Sequence, residues 1–372
     1  MLFFSSKKYN SKRLMNIKRQ NLYELSIFGS NRRLGKYMKQ ELSFNILNPK
    51  YTEKSMYEES ISFIKEILFN PNVKDNAFDS TSFDIIKKDL KRDILSLEEY
   101  PKEYSFFRLK NVMDSNNPFS FNIDGYVDDL EKITRESLFE YYKKVFDNST
   151  IDIYIVGDIS FSYMEDLIRK NFKFNKSNRI KILPENKYLP TRKSIYEVKE
   201  KSKFKQTQVQ IGLSIKNMTE KEKKYVAVIY NNILGNSPSS KLFKNIREKK
   251  SFVYNISSSY YKHDEVIFIT FGTLIDNVSS AISAVKNELK KMENGHFSDD
   301  DISSSKEFVC NSLKEFDEYQ SSIAEYFFAI DYLGIDDIDI SIKNINSVKK
   351  SDIKSFAKKV VIDTIYILEE DR

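Results

Sequence analysis

Apolar residues recur along this 372-residue chain with two periods. Val278, Ile282, Val285 and Leu289 stand three or four apart, as do Phe83, Ile86 and Leu90, the spacing that lines one face of a helix. Other stretches alternate every second residue or run apolar: "LSFNIL" (42–47), "TIDIYIVG" (150–157), "TQVQIGLSI" (207–215), "EVIFITFG" (265–272) and "DTIYIL" (363–368). These predict strands, with helices between them.

Laid against each other, the two halves repeat. "ESISFIKEIL" (59–68) parallels "SAISAVKNEL" (280–289), so Ile61, Ile64 and Leu68 fall on Ile282, Val285 and Leu289. "FDIIKKDLKRDI" precedes "EYSFF" as "SKEFVCNSLKEF" precedes "EYFFA". "ITRESLFEYYKKVFDNSTIDIYIV" matches "SVKKSDIKSFAKKVVIDTIYIL", setting Lys143 and Lys144 on Lys358 and Lys359. Several blocks in one order argue for duplication. The expected fold class is α+β: two homologous α/β domains, mainly antiparallel sheets with helices on one face. The first would span 1–175 and the second 195–372. Between them, 176–194 holds Pro184 and Pro190 among many charges and reads as a surface tether. The second copy opens with "TQVQIGLSI" and "EKEKKYVAVIYNNILG", whose counterparts would precede Met1. The first domain is therefore expected to be incomplete at its N-terminus.

Composition narrows the chemistry. Hydrophobic residues at 40% and aromatics at 14% suffice for packed cores. Sixty basic against 54 acidic residues leave +6, with the signs mixed throughout rather than gathered on an arm, which argues against nucleic acid. No stretch approaches the roughly 20 apolar residues of a membrane-spanning helix, and "MLFFSSKKYN" is too short an apolar run for a secretion signal. A cytoplasmic protein without membrane contact is the expectation. The single Cys310 excludes an internal disulfide and reads as a small, inert helix residue. The two histidines, His263 and His296, lie far apart in polar, turn-like settings and read as exposed. No zinc spacing and no Cys–His or Ser–His–Asp signature can be assembled from them.

A Gly-containing loop followed by "SSKLFKNIREKKSFVY" (239–254), the strand "EVIFITFGT" and a helix with the acidic start "FSDDDISSSKEFVCNSL" resemble the second domain of insulinase/pitrilysin-type zinc metallopeptidases. The resemblance points to the mitochondrial-processing-peptidase-like branch and its short bacterial members. It covers nearly the whole chain and is strongest over 225–335. Active members carry H-x-x-E-H on the first helix of the first domain, two His holding zinc and a Glu as general base. That motif is absent from this chain. On the later helix, where active relatives tend to be acidic, stand Lys87 and Lys88, and the carboxylates Asp93, Glu98 and Glu99 are not placed to replace the missing ligand. The resemblance thus implies a non-catalytic chain that binds no metal itself, with zinc in a homologous partner subunit of a heterodimer.

In such heterodimers the subunit without zinc supplies an Arg and a Tyr that hold an extended peptide. "REKKSFVY" matches that pattern at Arg247 and Tyr254. Read from the residues alone, Arg247 is an exposed cation with Glu248 or Asp264 in reach, and Tyr254 a strand aromatic. Two other functions compete: a fragment of a complete zinc endopeptidase whose motif lies upstream, and a scaffold with no part in proteolysis. "LGNSPSSK" keeps only Gly235 of a Gly-rich loop, and Pro238 stiffens it, which argues against a mobile capturing loop. "SDDD" (298–301) reads as an N-cap with Ser298 or Asp299 accepting backbone N–H, rather than a cation site. "KKYNSKR" needs no partner beyond solvent.

Overall fold

The computed structural model describes residues 1–173, 184–190 and 192–371. The chain begins with α1 (Lys12–Gln20), the hairpin β1 (Ser26–Leu34) and β2 (Tyr37–Asn45), and α2 (Met56–Phe69). The two-residue strands β3 (Val73–Lys74) and β4 (Ala77–Phe78) lead to α3 (Ser80–Ser96), α4 (Pro101–Met113), α5 (Val127–Lys132), α6 (Arg135–Asn148) and α7 (Phe161–Asn171). Then come β5 (Tyr196–Ser202), β6 (Thr207–Ile215), the short α8 (Ala227–Asn231) between two π-turns, β7 (Asn255–Tyr261) and β8 (Val266–Thr273). The chain closes with α9 (Val278–Asn294), α10 (Asp299–Lys314), α11 (Gln320–Leu333), α12 (Ile338–Ser347), α13 (Lys350–Ala357) and β9 (Val360–Glu370). The order hairpin, α2, α3, α4, α5, α6 recurs as hairpin, α9, α10, α11, α12, α13, so the duplication seen in sequence is a duplication of elements. Among the described residues no helix is long and apolar enough to cross a membrane.

Packing divides the chain into two compact units that interleave along it. One comprises Met1–Arg33, Met38–Ser96 and Ile123–Lys181, the other Leu34–Tyr37, Leu97–Asn122 and Ile182–Arg372. In the first unit α2 is the centre. Phe63 and Ile67 pack with Met15, Leu22 and Leu25, while Ile61 and Ile64 pack with Met164 and Leu167 of α7. The strand expected at 42–47 is displaced toward the hairpin turn as β2, Tyr37–Asn45. The strand expected at 150–157 is not one: these residues lie in no described strand.

The second unit is built on a five-stranded sheet in the order β5-β9-β6-β8-β7. All pairs are antiparallel except β5 with β9. Val209, Ile211 and Leu213 of β6, Ile267, Ile269 and Phe271 of β8, and Ile365 and Ile367 of β9 point into the larger core, with Phe356 of α13 and Val285 of α9. The helices gather on this face, and one more covers the other. There Leu109 and Met113 of α4 meet Val266, Phe268, Tyr366 and Leu368. Gly212 of β6 permits the approach, since a Cβ there would stand 2.3 Å from Met113 Sδ. Gln210 Nε2 donates to Ser105 Oγ at 2.9 Å, which gives the polar side of β6 a partner on α4. Tyr104 and Arg108 of α4 reach Glu200 on β5 at 2.6 and 3.1 Å, and Tyr366 of β9 donates to the same carboxylate at 2.5 Å.

Of the expected tether at 176–194, residues 176–183 and 191 lie outside the described residues. Its stretch 184–190 is anchored rather than loose. The amides of Asn186 and Tyr188 donate to the carbonyls of His263 and Asp264 at 2.7 and 2.9 Å. Tyr188 is buried, its hydroxyl 3.0 Å from the Asp363 carboxylate.

Candidate functional site

Arg247 and Tyr254 come from either side of one turn. Phe243–Glu248 is a wide π-turn ending at Lys249, and Ser251 takes φ +52°, the left-handed backbone that reverses the chain into β7. The reversal is tied by Phe252 N–H donating to the Ile246 carbonyl at 3.2 Å and by Thr273 Oγ1 donating to the Phe252 carbonyl at 2.5 Å. Ile246 and Val253 are buried beneath, so the two site residues ride on a packed base.

The structure brings the pair together through the backbone. Arg247 Nε donates to the Tyr254 carbonyl at 2.9 Å, and its guanidinium lies over the Phe243 ring at 4.6 Å. The expected ion pairs with Glu248 or Asp264 do not form; Asp264 is buried at the far end of β7. The guanidinium keeps the N–H groups of its two terminal nitrogens, which no described residue engages. Tyr254 is 54% exposed, and its amide donates to the Gly272 carbonyl at 2.9 Å, continuing the ladder between β7 and β8. The arrangement holds one free planar donor fork and one free phenol at the head of a strand.

That strand is a sheet edge. Among the described residues β7 pairs only with β8, in unbroken register from Asn255↔Gly272 to Tyr261↔Val266. Its outward residues Asn255, Ser257 and Ser259 are exposed, small and uncharged. At the opposite edge, β5 reads "YEVKEKS" and is studded with charge, the usual guard against unwanted pairing. β7 has no charge, no proline and no bulge.

Other expected residues have structural partners. Lys87 Nζ donates to the carbonyls of Glu131 and Ile133 at 3.1 and 3.0 Å, and Lys91 pairs with Glu131 at 2.5 Å, so these lysines fasten α3 to the turn between α5 and α6. Asp93 is bound by its neighbour Arg92 at 3.2 Å. "SDDD" is the cap the sequence suggests, with Ser298 the residue that performs it: Asp301 N–H donates to Ser298 Oγ at 3.1 Å and Ser298 N–H to Asp301 Oδ2 at 2.8 Å. Cys310 is buried. His263, expected to be exposed, is half-buried, and burial pushes its pKa down; His296 is exposed. The "LGNSPSSK" loop is packed, with Ser237 and Ser240 buried and a Cβ on Gly235 only 2.7 Å from Ser258 Oγ. Among the described residues, no three His, Cys, Asp or Glu side chains converge as a metal site. The residues present do not fit the zinc of the active peptidases.

The comparisons with known proteins agree with this architecture. Residues 132–308 match the family described as "Peptidase M16 inactive domain". The chain is 27% identical over 352 residues to "Probable inactive metalloprotease YmfF" of Bacillus subtilis, covering 94% of this chain and 82% of that one. It is 22% identical over 308 residues to "Non-peptidase homolog YmxG" of Helicobacter pylori, covering 81% and 68%. A conserved protein from Enterococcus faecalis superposes with a TM-score of 0.90 at 23% identity, covering 100% of this chain and 88% of the other. A peptidase M16 inactive domain from Pseudomonas fluorescens superposes at 0.74 with 14% identity, covering 100% and 87%. The fold is that of the M16 peptidases, the insulinase/pitrilysin type. Residues 132–308 carry the inactive-domain match, and most of the chain is similar to relatives named as an inactive metalloprotease and a non-peptidase homologue.

Proposed function

We propose that this chain is the peptide-holding, non-catalytic member of a heterodimeric M16 peptidase of the processing-peptidase-like branch, with zinc in the homologous partner. The observation that carries the reading is the placement of Arg247 and Tyr254 at the head of an open, uncharged sheet edge. An extended peptide adds to such an edge through main-chain hydrogen bonds, which recognise backbone more than sequence. The terminal nitrogens of Arg247 form a rigid fork suited to a peptide carbonyl or carboxylate. The Tyr254 hydroxyl would donate to a carbonyl of the bound peptide, a modest stabilisation of developing negative charge.

The test is co-expression with a zinc-bearing M16 homologue. The pair should cleave peptides, and Arg247→Ala should lower kcat/KM by about tenfold or more. Arg247→Lys, which keeps the charge and loses the fork, should recover only part. Because Arg247 also braces the Tyr254 carbonyl, unchanged melting of the variants is the control. Full activity in Arg247→Ala removes the assigned role.

A further inference from the structure

The proposed peptide edge has a charge polarity that the Arg–Tyr pair alone does not explain. At the head of β7, Arg247, Lys249 and Lys250 are exposed, and none forms an ion pair with a described carboxylate. Instead Arg247 stands over Phe243 at 4.6 Å and Lys250 over Phe252 at 5.5 Å. The turn between β5 and β6 adds two more exposed cations, Lys203 and Lys205. Gln206 of that turn is placed beside β7, because a Cβ on Gly272 would touch both the Gln206 side chain at 3.0 Å and Asn255 Oδ1 at 3.3 Å. Three cations therefore stand at the head of the strand, with Glu248 the single acid among residues 247–250, and Lys203 and Lys205 lie at the same end of the sheet. Elsewhere on this unit lysines are commonly matched: Lys201 with Glu369, Lys221 with Asp352, Lys224 with Asp336, Lys241 with Asp301, Lys359 with Glu222.

We infer that the β7 edge takes an extended peptide running antiparallel to it whose C-terminal end is acidic, the free α-carboxylate and neighbouring Asp or Glu meeting Arg247, Lys249 and Lys250. This rests on the reading of β7 as a peptide-binding edge. Antiparallel addition continues the β7–β8 pattern and is the stronger pairing per residue. It brings the peptide's C-terminus to the N-terminal, basic end of β7. Parallel addition would bring an ammonium to the same cations and be repelled. Arginine grips a carboxylate with two parallel hydrogen bonds, and the lysines add screened charge.

The experiment measures fluorescence anisotropy of labelled peptides on the full chain. Three share one Thr/Val-alternating body and differ only at the ends: Glu-Glu with a free carboxylate at the C-terminus, Lys-Lys with a C-terminal amide, and Glu-Glu at the N-terminus with a C-terminal amide. A fourth is the C-terminally acidic peptide with alternate amides N-methylated, which blocks strand pairing without altering charge. The C-terminally acidic peptide should bind about tenfold tighter than the other two, weaken at higher salt, and lose that preference in a Lys249→Glu/Lys250→Glu variant; N-methylation should abolish binding. Equal affinity for all three unmethylated peptides, with N-methylation still blocking, keeps the edge but overturns the acidic preference. A preference for the N-terminally acidic peptide overturns the direction. No binding by any peptide, or binding indifferent to N-methylation, overturns the edge itself and the inference with it.

Discussion

The two copies of the repeated unit hold the same helices in the same order but treat their alternating isoleucines in opposite ways. In the second copy all nine residues of β6 are buried, and Ile365, Tyr366, Ile367 and Leu368 of β9 are at most 1% exposed. In the first copy the stretch aligned with β9, 150–157, lies in no described strand, and Ile151, Ile153 and Ile155 are 39%, 45% and 44% exposed. Phe28, Met38 and Leu42 of the β1–β2 hairpin are also exposed. Alternation states which side chains would share a face. Whether that face becomes a strand depends on flanking strands and a covering layer, and β9 has β5 and β6 beside it and α4 across it.

The comparison is broken most directly in the core of the second copy. Phe356 of α13 is fully buried and meets the Tyr230 ring edge-on at 5.1 Å. Phe356→Ala should cost about 3–5 kcal/mol, the transfer of the ring plus the cavity it leaves. Urea unfolding followed by far-UV circular dichroism reads the loss. A cost below about 1 kcal/mol would mean that this sheet is not the well-packed member of the pair.

Next in size is Leu109→Ala on α4, expected to cost about 2–4 kcal/mol, because Leu109 is fully buried under the second copy's sheet. Hydrogen exchange should quicken in β6 and β9 rather than in α2. Faster exchange confined to α2 would return α4 to the first copy, where its sequence position places it.

How much of this was legible follows the same line. β6, at 207–215, emerges as read because valine, isoleucine and leucine alternate there and both faces are buried. Of the helices, α2, α3, α6, α9, α10 and α13 are legible from period and repeat. The polar residues alternating along β6, Gln208, Gln210 and Ser214, look solvent-facing by pattern, yet they are buried. A helix distant in sequence supplies the cover, and no local period encodes it. β5 and β7 have no continuous apolar run and become strands through their neighbours. At the site, the sequence offered Arg247 and Tyr254 as a pair; the bond that joins them is to a backbone carbonyl, which residue types do not announce. The bare outer face of β7 was present in "NISSSYY", but its meaning depends on its place at the sheet edge.

A smaller effect tests the latch between α4 and the β5 edge. Burial alone would raise the Glu200 pKa, but hydrogen bonds from Tyr104 and Tyr366 and the charge of Arg108 outweigh it and hold the carboxyl below its ordinary range. A folded pKa below the unfolded one gives stability that is present above the unfolded value, about 4.3, and is lost as pH falls through the folded one. Melting temperature measured from pH 6 down to about 3 should therefore fall more steeply for the native chain than for Glu200→Gln, which keeps the side-chain size without the charge. Parallel curves would show that the carboxylate contributes nothing to holding α4.

The smallest effect falls on the first copy's exposed stretch. The double substitution Ile153→Thr/Ile155→Thr preserves β-branching and replaces an ethyl group by a hydroxyl at each position. At 45% and 44% exposure these side chains have little burial to lose, so the change should stay within about 0.5 kcal/mol in the isolated chain. The equivalent change at Ile365 and Ile367 of β9, both at most 1% exposed, should unfold the second copy's sheet, because each threonine hydroxyl would be carried into a core lined by Val209, Ile211 and Phe271. Equal costs at the two aligned positions would mean that the 150–157 stretch is covered after all, and that the copies differ in what covers them rather than in whether they are covered. A near-zero cost in the first copy beside a large one in the second would make burial, and not sequence pattern, the property that separates them.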